Sequence, residues 1–276
     1  MTILVTGARG HVGRAVLTEL LAAGESVRAS SREPQPGQFP DEVEVVRADL
    51  TDPATLPAAL DGVDKVFLYA HPETATEFAA AATKAGVTHV VLLSSYSVQA
   101  PNPEANPIAL RHLTVEQAID AAGLDRTFVR GGYFATNSLR WQTIRTDREL
   151  RTAFPEATTS PVHERDIAGV AARALLGDAL RDTAPPVLGP GPSTTREQVA
   201  AIADALGEPV RLTEVDVETF RAEQLTQLPP FLVDRLIESR GTVPALPVEL
   251  DAVPKILGRP ALTFAEWARD HAEDFR

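Results

Sequence analysis

Three glycines at three-residue spacing, in Thr6-Gly7-Ala8-Arg9-Gly10-His11-Val12-Gly13, follow the apolar run Ile3–Val5 and open a helical pattern. Glycine at the first position permits a tight turn, and at the second it lets backbone N–H groups approach a pyrophosphate. At the third it allows close packing of the helix on the sheet, with phosphates at the helix N-terminus. An ordinary strand-to-helix turn does not call for three glycines, so the loop reads as a dinucleotide site with Gly7, Ala8, Arg9, Gly10, His11, Val12 and Gly13 as contacts.

The end of the second apolar run separates the two nicotinamide dinucleotides. A carboxylate there would bind a free ribose 2′-hydroxyl, but the stretch reads Arg28-Ala29-Ser30-Ser31-Arg32, with no acid before Glu33. Ser31 offers a hydroxyl and Arg32 a bidentate guanidinium suited to a 2′-phosphate, with Arg9 in reach of the same group. NADP(H) is therefore the expected cofactor; the plainer reading of Arg32 is a solvated turn residue before Pro34.

Other reactive constellations are absent or weak. There is no cysteine, which excludes thiol catalysis, thiolate metal sites and disulfides. His163-Glu164-Arg165-Asp166 lacks metal-ligand spacing, and Asp166 reads as a helix N-cap or an anchor beneath the pocket. His89, before a strand, reads as the cap of a helix end. No Gly-x-Ser-x-Gly elbow supports hydrolase chemistry, and no metal site is expected. Ser94, Ser95 and Tyr96 end the fifth apolar run, at the sheet edge where reacting groups belong. Ser95 is a candidate to bind a substrate carbonyl and Tyr96 a candidate proton donor; positioning of a nicotinamide is an equal role for both.

These groups need a scaffold, and the pattern supplies one. Short, nearly continuous apolar runs at Ile3–Val5, Val27–Ala29, Val43–Val46, Val66–Tyr69, Val90–Leu93 and Thr127–Val129 alternate with helical spacing at Arg14–Ala23, Pro53–Leu60, Ala75–Lys84 and Leu110–Ala121. That alternation predicts an α/β fold, a Rossmann-like doubly wound parallel sheet. Residues 1–135, completed by about 158–190, form the expected dinucleotide-binding body. Residues 136–157 and 191–276 form a small, mostly helical substrate lobe over the C-terminal edge of the sheet. Its Phe134, Trp141, Phe154, Phe220, Leu225, Phe231 and Leu232 would favour a flat, weakly charged aromatic substrate, although core packing is the commoner fate of any one ring.

The chain has 276 residues and 44% apolar content, enough for a sizeable core. With 26 basic against 38 acidic residues its formal charge is −12, which argues against nucleic acid and anionic membrane as partners. The N-terminal MTILVTG shows no charged leader or membrane-length apolar span, so a cytoplasmic location is expected. Oligomeric state is not legible.

The Thr-Gly-x-x-Gly-x-x-Gly loop resembles the short-chain dehydrogenase/reductase superfamily. Further stretches resemble its atypical, NmrA-like branch of quinone, dye and isoflavone-type reductases and NADP-sensing regulators. These are Ala48-Asp49-Leu50-Thr51-Asp52, Val91-Leu92-Leu93-Ser94-Ser95, Thr127-Phe128-Val129-Arg130-Gly131-Gly132-Tyr133-Phe134 and Val162-His163-Glu164-Arg165-Asp166-Ile167-Ala168. The resemblance implies that Asp49 and Leu50 flank the adenine, that Ala70 and His71 line the cofactor groove, and that Gly132, Tyr133 and Phe134 lie near the nicotinamide; Ser94, at the end of the fifth run, is a further expected cofactor contact.

Standard members of that superfamily use a Tyr-x-x-x-Lys couple. Here the three tyrosines, Tyr69, Tyr96 and Tyr133, are followed four residues on by Glu73, Ala100 and Asn137, and only Lys65, Lys84 and Lys255 exist. The couple is absent. Isoflavone-reductase-like relatives carry a working Lys eight residues before the acid that precedes Ala-Ala-Gly; counting back from Asp120 places His112 there. His112 can donate to a developing alkoxide, or it simply bonds the nicotinamide ribose or faces solvent. The expected function is NADPH-dependent hydride transfer to an aromatic ketone, such as a polyketide-type metabolite, or a quinone, the proton coming from His112, Tyr96, water or the substrate. The alternative is a non-catalytic NADP(H)-sensing regulator.

Overall fold

The computed structural model describes residues 1–241 and 250–276, so part of the expected lobe, 242–249, lies outside the described residues. In chain order the elements are β1 (Thr2–Val5), α1 (His11–Ala22), β2 (Ser26–Ser31), β3 (Glu44–Arg47), α2 (Leu56–Leu60), β4 (Lys65–Tyr69), α3 (Ala75–Ala85), β5 (His89–Ser95), α4 (Pro107–Ala121) and β6 (Arg126–Gly131). There follow α5 (Gln142–Asp147), β7 (Glu149–Thr152), β8 (Thr158–Thr159), α6 (Glu164–Leu176), β9 (Pro186–Val187), β10 (Ser193–Thr194) and α7 (Thr195–Leu206). The last are β11 (Arg211–Glu214), α8 (Val217–Gln224), α9 (Pro230–Gly241), α10 (Ala252–Leu257) and α11 (Phe264–Asp270).

Seven strands form one parallel sheet in the order β3-β2-β1-β4-β5-β6-β9. With helices on both faces this is a Rossmann-like α/β fold. The six leading strands fall on the six apolar runs because both faces of a doubly wound sheet are covered. β5 is buried at six successive positions and shows no alternation. The two-residue β9 was not expected: a Pro-Val pair is too short to register as a run.

Two compact units divide the chain. The first comprises Met1–Gly132, Glu164–Val187 and Asp251–Pro260 and holds the seven-stranded sheet. Its α1 packs on α6, and α3 on α4. Residues 251–260, grouped with the lobe on sequence, belong here because α10 packs on α6 and Arg259 reaches the fully buried Asp166 at 2.7 Å. Asp166 is thus no N-cap; it is the third residue of α6 and anchors this segment by its ion pair.

The second unit comprises Tyr133–His163, Leu188–Leu250 and Ala261–Arg276. Its core gathers Ile144, Leu150, Val199, Ile202, Phe264 and Trp267. Capping boxes, Thr194 with Glu197 and Thr263 with Glu266, start α7 and α11. Phe154 meets the buried Phe220 edge to face at 5.5 Å, whereas Phe231 and Leu225 are exposed.

His89 corrects another expectation. It opens β5, is fully buried and caps no helix. Thr127 Oγ1 donates to the Leu180 carbonyl and therefore accepts from His89 Nε2–H at 3.0 Å. Desolvation, with Arg181 and Lys65 nearby, lowers the imidazole pKa from 6.5 to about 4, against weaker opposing effects of Asp125 and Asp178. Because the unfolded chain takes up this proton first, stability is full above about pH 6.5 and is lost as pH falls toward 4. The expected loss is on the order of 3 kcal/mol. Denaturant unfolding at stepped pH should show it in the wild type and a much flatter curve in His89→Gln; parallel curves would contradict the assignment.

Candidate active site

The glycine loop begins where β1 and β4 end. Thr6 Oγ1 donates to the Phe67 carbonyl at 3.1 Å and accepts from Tyr69 N–H at 2.7 Å, which ties the loop to the strand ends. Gly7 takes φ +62°, and Gly10 N–H closes the turn on the Gly7 carbonyl at 2.9 Å. Gly13 lies so close beneath that a Cβ there would sit 2.3 Å from the Gly7 carbonyl oxygen. Gly10 precedes α1 and has no side chain to cap it, so the helix N-terminus faces the loop with its backbone N–H groups suited to an anion.

Above the loop lies a cleft of about 500 Å³ in the first unit, lined by Gly7, Ala8, Arg9, Gly10, Ser30, Ser31, Arg32, Ala48, Asp49, Leu50, Thr51, Tyr69 and His71. Nine of the residues singled out on sequence converge here: Gly7, Ala8, Arg9, Gly10, Ser31, Arg32, Asp49, Leu50 and His71. Val12 and Ala70 are core residues, and Gly13 packs under the loop, so these three shape the cleft without lining it. His11 is an exposed first residue of α1 and is not among the lining groups.

The charge pattern favours a phosphate. Asp49 Oδ1 accepts from Thr51 N–H at 2.9 Å and from Thr51 Oγ1 at 2.8 Å. Those bonds, with Arg32 and His71 nearby, hold its carboxyl below the usual range. The acid in the cleft is therefore committed to its own turn, while two guanidiniums, Arg9 and Arg32, remain at the wall. Ser31 Oγ is buried with no partner among the described residues. An orphaned hydroxyl beside an arginine fits the 2′-phosphate of NADP(H), and the tight glycine cradle fits its pyrophosphate. At the other wall Thr74 Oγ1 donates to the Leu50 carbonyl and so accepts from His71 Nδ1–H at 3.0 Å, leaving Nε2 as the acceptor of a fixed ring.

Tyr69 was missed on sequence. It is 56% exposed, unusual for a tyrosine that ends a buried strand, and its Cβ lies 3.2 Å from where a Gly7 Cβ would stand. Ser30, Ala48 and Thr51 were also missed as lining residues. The available signal was position alone: last residues of parallel strands and the residues just beyond them face the ligand edge.

A second cluster in the same unit holds the candidate reacting groups. Ser94 is buried, and its Oγ donates to Glu116 Oε1 at 2.5 Å. Its hydroxyl is thus turned inward. Ser95 Oγ caps the turn Tyr96–Gln99, accepting from Ser97 N–H at 3.3 Å and meeting Ser97 Oγ at 2.8 Å. That turn packs on α4. On α4, His112 lies near the Leu93 carbonyl, and its Nδ1 is buried without a partner among the described residues. Desolvation pushes the His112 pKa down, against an opposing effect of Glu116, so the ring is neutral at neutral pH.

Gly132 ends the first unit, its N–H on the Val187 carbonyl at 2.9 Å. Tyr133 and Phe134 start the second unit, where Phe134 bridges to Val162. Tyr133 lines a small cleft of that unit with Arg140, Trp141, Arg151, Thr152 and Phe220 among others. Among the described residues no group of three or more His, Asp or Glu side chains could hold a metal ion, and no helix is long and apolar enough to cross a membrane.

A family described as NAD(P)H-binding matches residues 7–178. The chain is 38% identical, over 99% of both chains, to the (4-alkanoyl-5-oxo-2,5-dihydrofuran-3-yl)methyl phosphate reductase of Streptomyces griseus subsp. griseus. It is 35% identical, again over 99% of both, to the NAD(P)H azoreductase of Xenophilus azovorans. In fold it is similar to the triphenylmethane reductase of Citrobacter sp. solved with NADP(H), with a TM-score of 0.81, 22% identity and 99% and 100% of the two chains covered.

Proposed function

This chain belongs to the NAD(P)H-binding, atypical branch of the short-chain dehydrogenase/reductases, and from that premise we propose that it is an NADPH-dependent reductase of conjugated, electron-poor substrates such as quinones and aromatic ketones. The observation that carries the reading is the 500 Å³ cleft over the glycine loop, with Arg9, Arg32 and the unpartnered Ser31 hydroxyl on its wall.

When bound, NADPH supplies the hydride. The chain's own residues hold and orient: loop amides and the α1 N-terminus take the pyrophosphate, Arg32 and Ser31 the 2′-phosphate, and Asp49, Leu50 and His71 border the adenosine half. The substrate class follows from what is missing. A simple ketone leaves a localised alkoxide that needs a closely positioned, pKa-tuned proton donor, which Tyr-x-x-x-Lys supplies elsewhere and this chain lacks. A furanone ketone, an azo bond and a triphenylmethane dye, named by the relatives, share a π system that spreads the incoming charge, so proton delivery is less demanding. Orientation then contributes most of the acceleration.

In this reading His112 is a neutral hydrogen-bonding group. Its lowered pKa keeps imidazolium scarce above pH 6.5. The turnover rate should be flat between about pH 6.5 and 8, and His112→Ala and Tyr96→Phe should each retain turnover within about tenfold, short of the roughly hundredfold or more that a general acid contributes. A rate that climbs as pH falls through this window and collapses in His112→Ala would identify imidazolium as the donor instead. The reading as a whole is tested by NADPH oxidation with a panel of quinones, azo compounds, conjugated ketones and isolated ketones. Turnover confined to conjugated members is expected; none across the panel would overturn it.

A further inference from the structure

We propose that buried Glu116 and partly buried Arg130 form a positioning device that ties the end of β6 to the two segments, β5 with its following turn and α4, that bear the candidate reacting groups; this rests on the reductase reading above. Glu116 is 3% exposed, and both its oxygens are engaged. Oε1 accepts from Ser94 Oγ at 2.5 Å and from Arg130 Nε at 3.0 Å, and Oε2 accepts from an Arg130 terminal nitrogen at 2.6 Å. The guanidinium fork is therefore bidentate, an arrangement that fixes direction as well as distance.

The partners stand next to the positions that matter. Ser94 lies on β5 immediately before Ser95, the last residue of the strand, and the turn that Tyr96 opens. Arg130 is its register partner on β6, two residues before Gly132. Glu116 lies one helical turn beyond His112 on α4. One carboxylate thus joins the end of β5, the end of β6 and the His112 face of α4. Adjacent strands already hold each other through their ladder, and α4 already packs on β5. Desolvating two charges offsets most of their attraction, and an apolar pair of similar volume usually serves stability as well or better. What such a pair adds over apolar packing is a fixed angle between α4 and the strand ends, so that His112 and the Tyr96 turn keep one geometry.

The test compares Arg130→Met, Glu116→Leu and their combination, reading melting temperature, NADPH affinity by titration, and kcat and KM with a quinone. Each single change strands a charge, buried Glu116 or partly buried Arg130, and should lower the melting temperature, more for Arg130→Met. The double variant should regain most of it, only the Ser94 hydroxyl losing its acceptor, and bind NADPH within about threefold of wild type, yet lose about fivefold to tenfold in kcat, since displacing His112 and the Tyr96 turn can cost as much as deleting either side chain. A double variant that turns over within about threefold of wild type would overturn the positioning role and leave a purely structural pair. Should the double variant not fold, Ser94→Ala decides: removal of that one bond should lower kcat about threefold or more with unchanged NADPH affinity, and unchanged kcat would overturn the proposal. A wild type without turnover would instead remove the reductase reading and the positioning role together, so the two failures are distinguishable.

Discussion

Gly13→Ala is expected to weaken NADPH binding by about two orders of magnitude or more. The added Cβ would lie 2.3 Å from the Gly7 carbonyl oxygen, 2.8 Å from the Gly7 carbonyl carbon and 3.0 Å from Ala8 Cα. All three are backbone atoms of the loop itself, so no flexible side chain can swing aside. Either α1 moves off the strand ends or Gly7 and Ala8 rise into the cleft, and both movements displace the amides from the pyrophosphate. Overpacking should also destabilise the fold by about 1–3 kcal/mol. Gly191→Ala, whose Cβ would meet nothing within 4 Å, is the control and should bind NADPH normally. Fluorescence titration of both variants reads the difference, and a Gly13→Ala protein with intact affinity would mean that the close approach of helix and loop is not what holds the cofactor.

Arg32→Ala should weaken NADPH by about tenfold to thirtyfold while leaving NADH nearly unchanged, since a charge-assisted pair contributes about 1.5–3 kcal/mol and an exposed guanidinium sits at the lower end of that range. Arg32 is exposed, so the preference should shrink as salt is added. Ser31→Ala should act in the same direction with a smaller effect, through loss of the buried hydroxyl. Competition titrations with both cofactors at two ionic strengths separate these contributions. Equal losses for NADPH and NADH would show that Arg32 contacts something other than the 2′-phosphate.

Much of this was legible in the sequence because the physics is local. Six apolar runs became the six leading strands since a parallel sheet covered on both faces demands continuous burial. The loop Gly7–Gly13 announces itself because each glycine answers a separate steric demand. What escaped is set by tertiary packing. Tyr69 looks like one more apolar strand residue until the ligand edge is known. His89 looks like a cap until Thr127 and Leu180 give it a buried partner. Asp166 has the type of an N-cap, but α6 starts two residues earlier and Arg259, more than ninety residues away, sets its role. The Glu116–Arg130–Ser94 cluster was invisible for the same reason: the three residues come from three elements, and only the register of β5 with β6 and the rotation of α4 bring them together. A charged residue inside an amphipathic helical pattern reads as a solvated face, and nothing in its own sequence neighbourhood says otherwise.

Direct calorimetric titration of the purified chain with NADPH and with NADH tests the central claim most simply. NADPH should bind one per chain with micromolar or tighter affinity, and NADH at least about tenfold more weakly. If neither binds at millimolar concentration, the cleft over Gly7–Gly13 is not a nicotinamide dinucleotide site, and the reductase assignment falls with it.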